Sequence, residues 1–302
     1  MTRYPESLFS LYSRMDNITE KIELWMDDPT HNALEPGSEL KAFAKPLVGF
    51  ASGDDKLFYF IKNDIGSNFY WRPEDAFINA FPDERVTPDE LTVIAWVLPQ
   101  TEQTRLAHRN AVNRPSIEWS KARHYGEKVN ESLRRYLVDL FLQSGYQACA
   151  PVLLPQWTRA ESSKYGFASS WSERHAAHVC GLGTFGVSDG LITPVGKAIR
   201  VGSVIVRRRY SPTRRTYQNH NEWCLYYSTG KCLVCMRRCP TQVISESGHD
   251  KVRCKDFIRN VTAVYVKEEQ LGFRANSCGF CQTKTPCENQ SPIDRVKRKR
   301  SR

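Results

Sequence analysis

The chain has 302 residues, 40% of them hydrophobic, with a mean hydropathy of −0.52 and a formal net charge of +10. This is the composition of a globular protein. The longest apolar run, Leu91 to Leu98, is strand-sized, which excludes a helix crossing a bilayer. The charge is uneven: residues 1–100 carry 9 Lys+Arg against 17 Asp+Glu, and the remainder 34 against 16. A basic second half suits a polyanionic partner such as nucleic acid or a phosphate-bearing cofactor, or it compensates bound anions. The N-terminal MTRYPESLF has neither an apolar core nor a twin arginine, so a cytoplasmic, thiol-reducing setting without a membrane anchor is expected.

Residues 7–28 predict an amphipathic helix: Leu8, Leu11, Tyr12, Met15, Ile18, Ile22 and Trp25 recur at helical spacing, and Pro29 closes it. Residues 29–56 read as loop. LFYFIK (57–62) and LTVIAWVL (91–98) read as strands, being rich in β-branched and aromatic residues. Turn signals lie between them at Asn63, Gly66, Pro73 and Pro82. Residues 116–144 give the longest helical pattern. Its stripe of Val129, Leu133, Tyr136, Leu137, Leu140 and Phe141 points to a core, Arg134 and Arg135 to a solvated face, and Gly145 to its end.

Ser170 and Glu173 have the spacing of a capping box for a short helix through His175 and His178, stopping at Gly181. GLGTFG (181–186) fits G-x-G-x-x-G, yet a helix precedes it, and no acidic residue stands about 20 positions on. A dinucleotide fingerprint needs a strand before and a helix after. The glycines instead indicate a backbone that something approaches closely. His175 and His178 share a helix face; as metal ligands they need a third partner such as Cys180, so hydrogen-bonded histidines are the favoured reading. GSVIV (202–206) reads as a strand. RRRYSPTRR (207–215) is a basic link, and RVKRKRSR (295–302) a basic tail that either contacts a polyanion or is merely solvated.

Eight of the ten cysteines fall between 224 and 287. Cys224, Cys232, Cys235 and Cys239 run C-x7-C-x2-C-x3-C-P. Cys254 stands alone, and Cys278, Cys281 and Cys287 run C-x2-C-x5-C. Three closely spaced cysteines ending in Cys-Pro is how bacterial ferredoxins hold [4Fe–4S] clusters, with the fourth cysteine of each run crossing to the other cluster. That rule assigns Cys224, Cys232, Cys235 and Cys287 to one cluster, and Cys254, Cys278, Cys281 and Cys239 to the second. Structural zinc is the alternative, since thiolates suit both; disulfides suit neither this pattern nor a reducing compartment.

Taken together, VIAWVLP, the PVLL loop, the helix leading into GLGTFG and SDGLITP, GSVIV and the cysteine array resemble epoxyqueuosine reductases and reductive dehalogenases over about residues 90–292. The resemblance implies an α+β architecture: a nitroreductase-like cobalamin-binding core followed by a ferredoxin-like double-cluster module. The divisions expected are 1–90 (N-terminal region of the core), 91–215 (cobalamin-binding core), 216–292 (two-cluster domain) and 293–302 (tail). It further implies low-potential electrons passing through two [4Fe–4S] clusters to cobalamin, and an external electron donor. The substrate would be small or nucleoside-like, with tRNA as its carrier an option. Gly181, Leu182, Gly183, Thr184 and Gly186 would lie against the cobalamin. Tyr165 is the first choice of proton donor, with Glu161 and Asp189 behind it.

The sequence also departs from the family. Alignment on Pro151-Val152-Leu153 puts Ala148 where the reductase branch has an acidic aspartate, with Cys149 next. The second array ends CENQSP rather than Cys-Pro. A divergent oxidoreductase is therefore expected. The competing readings are a ferredoxin-like electron carrier without cobalamin chemistry, which the roughly 220 residues ahead of the clusters disfavour, and a nucleic-acid binder, which rests on the basic half alone.

Overall fold

In the computed structural model of this protein, residues 17–293 are described. Residues 7–16 of the first expected helix and the basic tail from 294 on lie outside them. The helix itself is α1 (Ile18–Asp27), capped by Asn17, whose side chain accepts the Glu20 N–H at 3.1 Å.

Two expectations are corrected here. Within the presumed loop 29–56 lies a strand, β1 (Leu47–Ser52), and the presumed strand 57–62 is a helix, α2 (Lys56–Ile65). Asp55 caps α2, and its apolar residues bury on one face as Phe58, Ile61 and Ile65, a spacing of three and four rather than two. Tyr59 and Phe60, which made the run look strand-like, are exposed. The turn-rich segment that follows holds α3 (Pro73–Ala80), with proline at its first turn.

β2 (Thr92–Pro99) is buried along its whole length. Then come α4 (Glu102–Arg109), the long α5 (Ile117–Gln143), β3 (Ala148–Cys149), the ribbon β4 (Arg159–Ser162)/β5 (Gly166–Ser169), α6 (Glu173–Val179), the ribbon β6 (Thr184–Phe185)/β7 (Leu191–Ile192), and β8 (Ile199–Val206). The central sheet is antiparallel throughout, in the order β1-β2-β8-β3. Alternation along β2 divides the core. Val93, Ala95 and Val97 pack with α2, α3 and α6, while Ile94, Trp96 and Leu98 pack with α1 and α5. The protein is thus a mixed α/β structure with helices on both faces of one sheet. Because β1 pairs with β2, residues ahead of 91 belong to the same sheet as those after it.

Two polar expectations also change. Arg134 is not on a solvated face. It is 3% exposed and grips Glu173 through two hydrogen bonds of 2.8 and 2.6 Å, with Glu127 at 3.2 Å. Ser170 and Glu173 form no capping box. Ser172 occupies the cap position of α6, the Ser170 hydroxyl accepts the Thr158 N–H, and Glu173 is consumed by Arg134 and the Ser203 N–H. Tying α5 to α6 uses the carboxylate that a cap would have needed.

The C-terminal part consists of α7 (Leu225–Thr229), α8 (Val234–Arg238), a small ribbon β9 (Ile244–Ser245)/β10 (Gly248–His249), and α9 (Lys251–Phe257). The last runs on as helix, with two π-helical turns, to Leu271. Among the described residues no helix is long and apolar enough to cross a membrane.

Candidate functional site

The cysteine-bearing segments wrap against the turn between β7 and β8. Cys224 stands at the start of α7, Cys232 and Cys235 flank the start of α8, and Cys239 ends it before Pro240. Cys224, Cys232, Cys235 and Cys287 line one small cavity together with Gly186, Ile192 and Lys197. Burial pushes the Cys235 thiol up to about 11, with the Lys197 charge opposing it.

The remaining four are coupled among themselves, and Cys281 also packs with Cys235 of the first set. Burial pushes Cys254 and Cys278 up to about 12, and both also feel Cys281 and Cys239. Thiols held neutral in this way must lose protons on taking up metal. Among the described residues no three His, Cys, Asp or Glu side chains come together around a single ion. Cys149 and Cys180 belong to neither group. Both are buried in the core beside the central sheet, where burial raises their thiols.

A cleft of about 280 Å³ is lined by Phe185, the chain neighbour of the Gly186 that lines the Cys224 cavity. Its walls are aromatic (Tyr70, Trp157, Tyr165, Phe167, Phe185) with His175 and His220, and its charged groups are Asp64, Arg159, Arg174, Asp189 and Lys251. A second cavity of about 410 Å³ adjoins it and shares Asp64, Ile65, Tyr165, His175 and His220. Phe185 stacks on His220 at 4.5 Å and lies 4.7 Å from His175. Burial, followed by the Arg174 charge, drives the His175 imidazole well below its ordinary value, so it is neutral. His178 is also buried and donates from Nδ1 to the Gly183 carbonyl at 2.7 Å. His178 is thus a hydrogen-bonded core group, His175 bonds the Ser172 hydroxyl while lining both cavities, and Cys180 is turned to the Val93 carbonyl.

Of the three acid candidates, two line the cleft. The Tyr165 hydroxyl donates to Asp64 Oδ2 at 2.5 Å, and Lys164 also binds that carboxylate. Burial and then the Asp64 hydrogen bond raise the Tyr165 phenol. Asp189 has a left-handed backbone at φ 53° and lies 3.3 Å from His249 Nδ1 and 3.6 Å from Lys251 Nζ. Burial works to raise its carboxyl, but His249 and Lys251 outweigh this and hold it low. Glu161 is corrected: it is exposed on the two-stranded β4/β5 ribbon opposite Phe167 and lines neither cavity.

The glycine loop is closely packed within the protein. Something does approach it closely, but that partner is the protein itself. A Cβ on Gly183 would meet the Ile192 carbonyl at 2.3 Å; Gly181 abuts Thr213, and Gly186 abuts Ile192 and Cys224. Leu182 packs in the core, and the buried Thr184 hydroxyl accepts the Trp223 N–H at 2.9 Å. Only Phe185 of this loop reaches the cleft. After the glycines comes the β6/β7 ribbon rather than a helix, as the rejected dinucleotide reading requires. Ala148 sits in β3 and lines a separate cavity with Cys149. Sequence reading missed Asp64, Arg159, His220, Lys251 and Lys197. Their meeting depends on segments up to 187 residues apart, and no local signal marks them.

No family model and no curated protein matches this chain. Solved structures do. The catabolic reductive dehalogenase NpRdhA, in complex with 3-bromo-4-hydroxybenzoic acid, matches at TM-score 0.50 and 15% identity over 82% of this chain and 30% of its own. A selenomethionine-labelled epoxyqueuosine reductase matches at TM-score 0.47 and 15% identity, covering 93% of this chain and 66% of its own. An epoxyqueuosine reductase with an epoxyqueuosine-modified tRNA-Tyr stem loop matches at 0.46 and 16%, over 93% and 66%. The chain spans just under two thirds of those reductases and under a third of the dehalogenase. With the dehalogenase the chain shares a fold.

Proposed function

We propose that the chain is a cobalamin- and iron–sulfur-dependent reductase, built from a nitroreductase-like core up to about residue 215 and a ferredoxin-like module over 216–292. The observation that carries this reading is the adjacency of two four-cysteine sets and one aromatic, basic-lined cleft. The cysteine spacing, with three closely set cysteines ending in Cys-Pro in the first run, favours iron–sulfur clusters over zinc. When bound, the clusters supply low-potential electrons and cobalamin supplies the metal centre that passes them to substrate.

The cleft fits such a cofactor in chemistry. Trp157, Phe167 and Phe185 offer flat apolar faces, and Arg159, Arg174 and Lys251 suit a phosphate-bearing tail. At about 280 Å³ the cleft is below even the roughly 300–1,000 Å³ of sites for drug-sized ligands, and a corrinoid is larger than those. Entry of so large a group therefore needs the adjoining cavity, and hence the parting of Tyr165 from Asp64. Tyr165, protonated at neutral pH, holds the proton for the substrate. Neutral His175 and His220 keep the floor of the cleft uncharged. A small or nucleoside-like substrate, tRNA-borne or free, and an external low-potential donor complete the scheme.

The test is the iron and cobalt content, with absorption spectrum, of anaerobically purified protein. About eight irons per chain, from two [4Fe–4S] clusters, with stoichiometric cobalt uptake, supports the reading. Iron without any cobalt uptake returns the electron-carrier alternative. Because Ala148 can donate no proton, the reconstituted protein is expected not to turn over epoxyqueuosine in tRNA at a family-like rate.

A further inference from the structure

Lys197 is the most unusual charge in the molecule. It is 3% exposed, yet no carboxylate among the described residues pairs with it. Its Nζ has one hydrogen bond, 3.2 Å to the Ser188 hydroxyl. Glu288, which follows Cys287, is already held by Arg105 at 3.1 Å and Arg109 at 2.9 Å. An unpaired buried ammonium costs several kcal/mol, so it persists only beside anions. The neighbours that favour its charge are, in order, Cys287, Cys235, Cys281 and Cys224.

The backbone fixes this position. Thr193 and Gly196 close a tight turn between β7 and β8 through paired hydrogen bonds of 3.0 and 2.9 Å. Gly196 is at φ +87°, and a Cβ there would meet the Glu288 carbonyl at 2.2 Å. The Lys197 N–H donates to the Cys287 carbonyl at 2.8 Å. The turn is thereby clamped onto the end of the second cysteine run, with the ammonium stem lining the cavity of Cys224, Cys232, Cys235 and Cys287.

We infer that Lys197 is a built-in counter-charge that sets the reduction potential of the cluster held by Cys224, Cys232, Cys235 and Cys287, and to a lesser degree that of its neighbour. The inference rests on the cluster reading above. A fixed positive charge in a dry site stabilises the more negative, reduced cluster and so raises its midpoint potential. Its side chain lines the cavity of the Cys224 set, so that cluster feels the charge more than the other.

The experiment is a potentiometric titration followed by EPR on anaerobically reconstituted wild type, Lys197→Met and Lys197→Arg. In the methionine variant both midpoints are expected to fall, that of the Cys224 set further, while arginine stays near wild type. Unchanged midpoints in Lys197→Met at full iron content overturn the inference, as does an equal shift in the arginine variant. If the methionine variant loses iron, arginine decides. Loaded clusters at the wild-type potentials support a charge requirement, and loss of iron there too overturns it in favour of shape. Wild type that takes up no clusters would instead sink the function proposed above, a separate failure.

Discussion

Asp64, in the last turn of α2, accepts the Tyr165 phenolic hydrogen at 2.5 Å and lies between the two cavities that flank it. Burial tends to raise the Asp64 carboxyl, but hydrogen bonds from Lys164 and Tyr165 outweigh it, so Asp64 stays ionised and the phenol protonated. Tyr165→Phe is expected to lower substrate reduction by on the order of 10²–10⁴ with iron and cobalt content unchanged. Single-turnover rates at the wild-type level would remove Tyr165 as the proton donor.

Crossed ligation gives a second expectation. Cys239 ends α8 within the first run and packs in a cluster with both Cys281 of the second run and Cys235 of its own, and its charge is felt by Cys254 and Cys278. Cys239→Ala should damage the second cluster and spare the one beside Cys232 and Cys235. EPR or Mössbauer spectra showing loss of only the latter would reverse the assignment.

Gly183→Ala places a Cβ 2.3 Å from the Ile192 carbonyl, a backbone atom of β7 that cannot move without its ribbon. Overpacking of this kind costs about 1–3 kcal/mol. Urea unfolding should show that loss in the metal-free and the reconstituted protein alike. A variant of native stability that fails only in cobalamin uptake would restore the loop as a cofactor surface.

Arg134 and Glu173 join α5 to α6 in a buried, two-pronged ion pair. Arg134→Met strands the carboxylate, whose pKa burial already raises, and should cost about 3–5 kcal/mol. Adding Glu173→Gln should recover part of this, and a strictly additive double mutant, read from denaturant midpoints, would show that the two do not act as a pair.

Acid sensitivity follows from the buried histidines. Burial holds His178 down to about 4, against an ordinary 6.5. Between those values the unfolded chain binds a proton that the folded chain refuses. The histidine's contribution is therefore complete above about pH 6.5 and is lost as pH falls toward 4, by roughly 3 kcal/mol for this one residue. His175 acts in the same direction. Urea midpoints at pH 7.5, 6 and 5 should fall steadily, less so in His178→Gln; a flat profile would contradict the burial argument.

The sequence by itself determined what is encoded locally. The cysteine spacings carry the proposal of two clusters, because closely spaced ligands must reach one centre. β2 and α5 are legible because an unbroken apolar run and a 3.6-residue stripe each bury in only one way. The aromatic run at 57–62 misled because its composition favours strands, whereas burial of Phe58, Ile61 and Ile65 against β2 needs helical spacing. β1 carries no strong signal of its own and exists as a strand because Leu47 to Ser52 pair with Val97 to Thr92. Whether Arg134 faces water or Glu173, whether Gly183 faces a ligand or Ile192, and whether Lys197 is a surface lysine or a buried charge among thiols are all decided by partners 9 to 90 residues away. Burial and Coulomb energy depend on distance in space, which only the folded chain defines.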